Sequence, residues 1–268
     1  MRYRLLALDL DDTLLYDDFS IADEEKRAVE AVVAAGGTVA LATGRMYSAA
    51  RKVAEELGIA APIISYGGAS ARMADGTPIF VRNVPRELAL QILEYARRYQ
   101  IHIHAYAGDQ LVGEQDDEIL REYARVNRVD YHLVDLEEAF SEEEPPKLLL
   151  IDQPERIDAL QQALAANYGE RLHLTKSKPY FLEVTHPEGT KGRALAALAA
   201  ALGVNREEVF AIGDAPNDRE MIAWAGLGVA VANATEAVRS IADRVVPSNK
   251  DHGVAYALMH LVLAHERV

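Results

Sequence analysis

The sequence predicts an α/β protein with a parallel-sheet core made from both ends of the chain, interrupted by an inserted α+β domain. Three observations predict it. Short apolar runs alternate with helical stretches from Leu5 to Ser65 and again from Lys191 onward, the rhythm of βαβ units. Between these stretches the pattern becomes strand-rich and loses that rhythm. Several apolar runs of the outer segments end abruptly in polar clusters, and open α/β sheets bind ligands outside the carboxyl ends of their strands.

The first unit begins with Leu5 to Leu8, apolar on both faces as a buried parallel strand requires, and it ends in Asp9, Asp11 and Asp12. Ile21 to Ala35 has helical spacing and stops at Gly36-Gly37. Thr38 to Ala42 is a second strand, ending at Thr43-Gly44-Arg45, with a helix over Met46 to Leu57. Pro62 to Ser65 is a third strand, ending at Tyr66-Gly67-Gly68.

Ala71 to Met73 and Pro78 to Val81 flank Asp75-Gly76, a hairpin signal. A helix from Pro85 runs to about Tyr99. Strands are expected at Ile101 to Tyr106, Leu111-Val112, Tyr131 to Val134, Lys147 to Ile151, Leu172 to Thr175 and Tyr180 to Thr185. Helices are expected at Glu118 to Val126 and Pro154 to Asn167, and Glu142 to Pro146 reads as an exposed loop. This stretch, residues 83–187, reads as α+β with an antiparallel or mixed sheet. His102 and His104 share one face of their strand. A solvent-facing polar stripe is the expectation for them, and lining a cleft or binding a metal is the alternative.

The first rhythm returns with a helix over Lys191 to Leu202 and a buried strand over Val209 to Ile212, ending in Gly213-Asp214. Arg219 to Ala225 is helical, Gly228 to Val231 a strand, Glu236 to Ala242 a helix and Arg244 to Val246 a strand. Val254 to His265 is the last helix. The expected division is a core of residues 1–82 and 188–268 around an insert of residues 83–187.

Half of the 268 residues are apolar, enough for two cores. The net charge of −14 opposes binding to nucleic acid and to anionic membrane, so neither is expected as a partner. With no cysteine there is no disulfide framework and no thiolate ligand or nucleophile. No apolar run approaches the roughly 18 residues of a membrane span, and no signal-type segment precedes the first strand, so a cytoplasmic location is expected. The oligomeric state is not legible.

Four polar clusters fall at strand or helix ends of the core: Asp9/Asp11/Thr13, Thr43-Gly44-Arg45, Lys191, and Gly213-Asp214-Ala215-Pro216-Asn217-Asp218. Each alone has an ordinary reading as a turn, a cap or a solvated charge. Their joint placement points to phosphoryl transfer. Converging carboxylates need a cation, and an oxygen-only donor set favours Mg2+. A carboxylate can accept a phosphoryl group, a second can move the proton, and a hydroxyl with a lysine can hold the phosphoryl oxygens. The chain lacks a G-x-x-x-x-G-K-[ST] loop and a G-x-G-x-x-G run, which argues against nucleoside triphosphate and dinucleotide chemistry.

In this order the four clusters resemble the four motifs of the haloacid dehalogenase (HAD) superfamily of phosphatases, with a Rossmann-like core. The long insert between the second and third motifs, and Phe181-Leu182-Glu183-Val184 leading to Gly189-Thr190-Lys191-Gly192, resemble the Cof-type subfamily with its C2B α/β cap. Val229 to Ala234 and Asn249 to Ala255 are similar to that subfamily's C-terminal pattern. The resemblance implies Asp9 as nucleophile and Mg2+ ligand. It implies Asp11 as general acid and base, lending its backbone carbonyl to Mg2+. Thr43, with Gly44, would bind the phosphoryl group, and Lys191 would neutralise it. Asp214 would ligate Mg2+, Asp218 would hold the ion or its waters, and Asn217 would contact the phosphoryl group or Lys191. Thr13 would orient the loop. Arg45 stays open between facing the cap and capping a helix. Ala215 and Gly67-Gly68 depart from the usual pattern, which bears on substrate contacts.

The implied activity is Mg2+-dependent hydrolysis of a small phosphate ester, a sugar phosphate or a flavin- or pyridoxal-type phosphate, through an aspartyl phosphate. A phosphomutase or phosphotransferase on the same scaffold, or a non-catalytic phosphometabolite-binding protein, are the alternatives.

Overall fold

The structure, a computed structural model, describes residues 1–176 and 178–264; His265, where the sequence reading ends the last helix, lies outside the described residues. The strands are β1 (Leu5–Asp9), β2 (Thr38–Ala42), β3 (Ile63–Ser65), β4 (Ser70–Arg72), β5 (Pro78–Val81), β6 (His102–Ala107), β7 (Gln110–Gly113), β8 (Tyr131–Leu133), β9 (Leu148–Ile151), β10 (His173–Thr175), β11 (Phe181–Thr185), β12 (Val209–Gly213), β13 (Leu227–Val231) and β14 (Arg244–Val246). The helices are α1 (Asp23–Ala34), α2 (Tyr47–Glu56), α3 (Arg86–Tyr99), α4 (Glu118–Asn127), α5 (Leu136–Glu142), α6 (Pro154–Tyr168), α7 (Lys191–Ala201), α8 (Arg219–Trp224), α9 (Glu236–Arg239) and α10 (Gly253–Ala257).

The chain divides into two compact units, residues 1–80 with 190–268, and residues 81–189. The first holds a sheet of order β14-β13-β12-β1-β2-β3-β4-β5. It is parallel from β14 to β3, and β4 runs antiparallel to β3. β1 and β12, at its centre, are buried along their whole length, which explains apolar runs without alternation. Their register pairs Leu5 with Val209 and Leu8 with Ile212, while Asp9 pairs with Ala42 of β2. Three neighbouring strands therefore end at one level.

The second unit has a mixed sheet of order β10-β11-β9-β6-β7-β8, in which β7 and β8 are parallel and the other pairs antiparallel. One face, with Ile103, Ala105, Leu148, Leu150, Leu182 and Val184, shares an apolar core with residues of α3, α5 and α6. The opposite face carries His102, His104, Tyr106 and Lys147.

Two expectations fail here. The sequence reading has no helix over α5, yet Asp135 caps one, accepting N–H bonds from Glu137 (2.8 Å) and Glu138 (3.2 Å), and Leu136 and Phe140 are fully buried. The other failure is the histidine stripe. His104 is fully buried, its ring 4.3 Å from that of Tyr123 on α4. His102 lies with Nδ1 2.7 Å from Asp117 Oδ2 and Nε2 3.0 Å from His104 Nδ1. A strand alternation cannot distinguish water from a helix laid over the polar face. Burial, then His102 and Lys147, hold the His104 imidazole well below its usual range, so it stays neutral.

No helix among the described residues is long and apolar enough to cross a membrane.

Candidate active site

The site begins at the carboxyl end of β1. Asp9 is the last residue of the strand and is 4% exposed. The chain then turns back through Leu10–Leu14, with Asp12 in the left-handed region at φ 58°. This turn brings the buried Thr13 within reach of the next strand over, and its hydroxyl donates to Asp214 Oδ1 at 3.2 Å. Asp214 follows directly on β12, and the register of Leu8 with Ile212 brings it to the level where β1 ends.

Lys191, the first residue of α7, is 1% exposed. Its Nζ donates to Asp9 Oδ1 and to Asp218 Oδ1, both at 2.6 Å. A buried lysine needs such partners, since an unpaired buried charge is costly. Asp218 is held from the other side: its Oδ2 accepts the N–H groups of Asp214 and Ala215, each at 3.0 Å. Gly213 makes room for it, because a Cβ there would lie 2.5 Å from Asp218 Cγ. Gly68 does the same for α7. Its φ is +107°, and a Cβ would sit 2.1 Å from the Thr190 carbonyl carbon and 2.3 Å from the Lys191 nitrogen. In the sequence Gly68 stands out only as a departure from a motif; the close approach it permits is invisible there.

Carboxylates outnumber the lysine, and the acids respond. Burial, with the neighbouring Asp218 charge, pushes the Asp9 carboxyl well above the usual carboxylate range, against the pull of Lys191. Burial and Asp218 push Asp214 up to about 7. For Lys191 burial opposes the charge, but Asp218 and Asp9 outweigh it and hold the ammonium above its ordinary value. Asp9, Asp214 and Asp218 each offer an oxygen, and these lie within 4.8 Å of one another. An all-oxygen set with surplus negative charge fits a hard divalent cation such as Mg2+.

The remaining predicted residues are less tightly grouped. Thr43 is fully buried, and its hydroxyl accepts the Arg45 N–H at 3.1 Å within the turn that contains Gly44. Asn217 is exposed in the turn Pro216–Asp218. Of the two readings left open for Arg45, capping α2 is not the one seen: Met46 occupies the N-cap of α2 and makes no side-chain cap bond. The Arg45 guanidinium instead forks the Asp11 carboxylate, Nε lying 3.2 and 3.0 Å from its two oxygens and Nη2 bonding Oδ1, and it stacks 4.4 Å from the Phe19 ring centroid.

Fold and site together define an α/β enzyme with a buried acid–lysine centre at the carboxyl ends of parallel strands. Residues 6–258 match the model of the haloacid dehalogenase-like hydrolases, and the chain belongs to that family as an enzyme of its phosphatase type. The crystal structure of TM0651 from Thermotoga maritima has a TM-score of 0.88 with 36% identity, covering 96% of this chain and 97% of that one. A Bacillus subtilis protein named "Putative phosphatase YxeH" is 32% identical over 273 residues, 98% of this chain and 99% of its own. The 5-amino-6-(5-phospho-D-ribitylamino)uracil phosphatase YitU of the same organism is 28% identical over 256 residues, 94% of each.

Proposed function

We propose that this phosphatase hydrolyses the phosphate ester of a small metabolite, a sugar phosphate or a flavin- or pyridoxal-type phosphate, through an aspartyl phosphate on Asp9. The observation that supports it most is the Lys191 ammonium bridging Asp9 and Asp218 at 2.6 Å inside a buried acid cluster. A binding protein needs a cation for phosphate but has no need of a buried carboxylate beside it. Two relatives named as phosphatases of small phosphorylated compounds, YitU and an HMP-PP phosphatase of Serratia proteamaculans, support the substrate class.

In this reading the Asp9 carboxylate attacks phosphorus, the bond from phosphorus to the ester oxygen breaks, and Asp11 gives that oxygen its proton. Asp11 then takes a proton from water as the water attacks phosphorus, and inorganic phosphate leaves Asp9. Lys191 and the Thr43 hydroxyl hold the phosphoryl oxygens, where charge stabilisation contributes most. Asp9, Asp214 and the Asp11 carbonyl would hold Mg2+, with Asp218 fixing Lys191 and the Asp214 backbone beside them. When bound, the ion offsets charge between nucleophile and phosphate. Asn217 and Gly44 border the phosphoryl group.

The test is phosphate release from p-nitrophenyl phosphate with Mg2+. Wild-type protein turns it over and Asp9→Asn does not; undiminished activity in that variant would sink the mechanism.

A further inference from the structure

We infer that Asn233 and Asn249 form one clasp that positions the loop between Asp9 and Leu15; the inference rests on Asp9 being the nucleophile. The loop has a conformation that needs holding. Asp12, a residue with a side chain, sits at φ 58°, a region that residues other than glycine occupy at a cost. Local contacts explain only part of it, the Leu15 N–H closing onto the Leu10 carbonyl at 2.8 Å.

The rest comes from the far end of the chain. Asn233, just past β13, donates from Nδ2 to the Asp12 carbonyl at 2.7 Å. Its Oδ1 accepts the backbone N–H of Asn249 at 3.0 Å. Asn249, 3% exposed, donates from its own Nδ2 to the Leu15 carbonyl at 3.1 Å. Two linked amides therefore hold the loop at the left-handed residue and at its exit. The same segment adds His252 Nδ1 3.2 Å from the Tyr16 hydroxyl, and Lys250 Nζ donating to Asp17 at 2.8 Å.

The chemistry requires amides at both places. Asn233 must donate to one backbone group and accept from another, which a carboxylate or an aliphatic side chain cannot do. Without the Asp12 bond the left-handed residue relaxes. The residues on either side of it are Asp11, two positions from the nucleophile, and Thr13, whose hydroxyl is on Asp214. Both are displaced together. The side-chain amides of Asn233 and Asn249 bond the Asp12 and Leu15 carbonyls, and that of Asn233 the Asn249 N–H, rather than Asp9; they are positioning residues.

Asn233 is exposed, so its replacement leaves the core intact. The test uses full-length protein and p-nitrophenyl phosphate with Mg2+, measuring kcat, KM and Tm for N233A, N233D, N249A and the N233D/N249A double variant, with D9N in parallel. N233D keeps the acceptor for the Asn249 N–H but cannot donate to Asp12. It is expected to lose kcat at least tenfold, as far as N233A, with KM within about threefold and Tm nearly unchanged. N249A loses kcat and also Tm. The double variant loses no more kcat than the worse single one, because one clasp can be broken only once. Wild-type kcat in N233D, or kcat losses that multiply in the double variant, would overturn the clasp while D9N stays inactive. An active D9N would overturn the nucleophile and the clasp with it.

Discussion

Arg45 grips both carboxylate oxygens of Asp11, and the same guanidinium lies against the Phe19 ring. Asp11 is about half exposed, so the pair adds little to stability, on the order of 1 kcal/mol or less. Its effect is geometric. The fork fixes where the second acid of the first motif points, so that the proposed proton carrier starts each turnover from one position. Arg45→Lys keeps the charge but loses the planar fork. Both R45K and R45A are expected to lower kcat/KM for p-nitrophenyl phosphate by roughly tenfold, the size of a lost positioning contact. If R45K behaves as wild type, charge alone matters.

Lys191→Met keeps the length of the side chain and removes the only cation in hydrogen-bond contact with Asp9 and Asp218 among the described residues. Breaking one side of a buried ion pair costs about 3–5 kcal/mol. Activity is expected to fall by at least about 10²-fold, the scale of a lost electrostatic contact to the transition state. Thermal denaturation and phosphate release check the two effects separately.

Mg2+ should raise the melting temperature of the wild-type protein, and EDTA should abolish phosphate release. A ligand at about a hundred times its dissociation constant contributes roughly 2.7 kcal/mol, which is several degrees for a chain of this size. The shift is expected to shrink sharply in Asp214→Asn. An equal shift in that variant would place the ion elsewhere.

Gly68→Ala puts a Cβ into the Thr190–Lys191 backbone at a positive φ. Backbone cannot yield as a flexible side chain can, so a loss of about 2–4 kcal/mol is expected, with kcat reduced because Lys191 moves with the start of α7. Urea denaturation of G68A against wild type measures it.

Glu25 gives a pH dependence. It is 1% exposed in the first turn of α1, and burial pushes its carboxyl up to about 7. A raised carboxyl pKa means that the folded state holds the proton longer than the unfolded state. Stability is therefore fully present below the unfolded pKa of about 4.5, declines as pH rises toward 7, and stays reduced above it. Glu25→Gln removes that decline. The stability of E25Q relative to wild type should grow between pH 5 and pH 8 by up to about 3 kcal/mol, at roughly 1.4 kcal/mol for each pH unit separating the unfolded and folded pKa values. Parallel curves for the two proteins would contradict it.

Much of the core is legible because central parallel strands have no alternating face: Leu5 to Leu8 and Val209 to Ile212 announce themselves, and the polar residues after them mark the sheet's carboxyl edge. The motif order leads to Asp9, Asp214 and Lys191 for the same reason. What escapes is partnership. Nothing in the spacing says that Arg45 turns to Asp11, because a guanidinium on a long stem has many reachable acids. Nothing near Asp12 says that an amide over two hundred residues later holds its carbonyl. His104 reads as exposed because Tyr123, which covers it, belongs to a different element. α5 is missed because seven residues offer only three apolar positions, Leu136, Ala139 and Phe140, and the cap at Asp135 looks like one more acid among several.

The central pairing of the sheet joins residues 5–9 to residues 209–213. During synthesis the first strand emerges with one of its two neighbours, β2, following within about thirty residues, while the other must wait until most of the chain has been made. Until then Leu5, Leu6 and Leu8 present an unpaired edge, and Asp9 lacks Asp214 and Asp218, which follow β12. A product cut short anywhere before β12 is therefore expected to release no phosphate and to expose an adhesive strand edge, a misfolded chain rather than a weak enzyme.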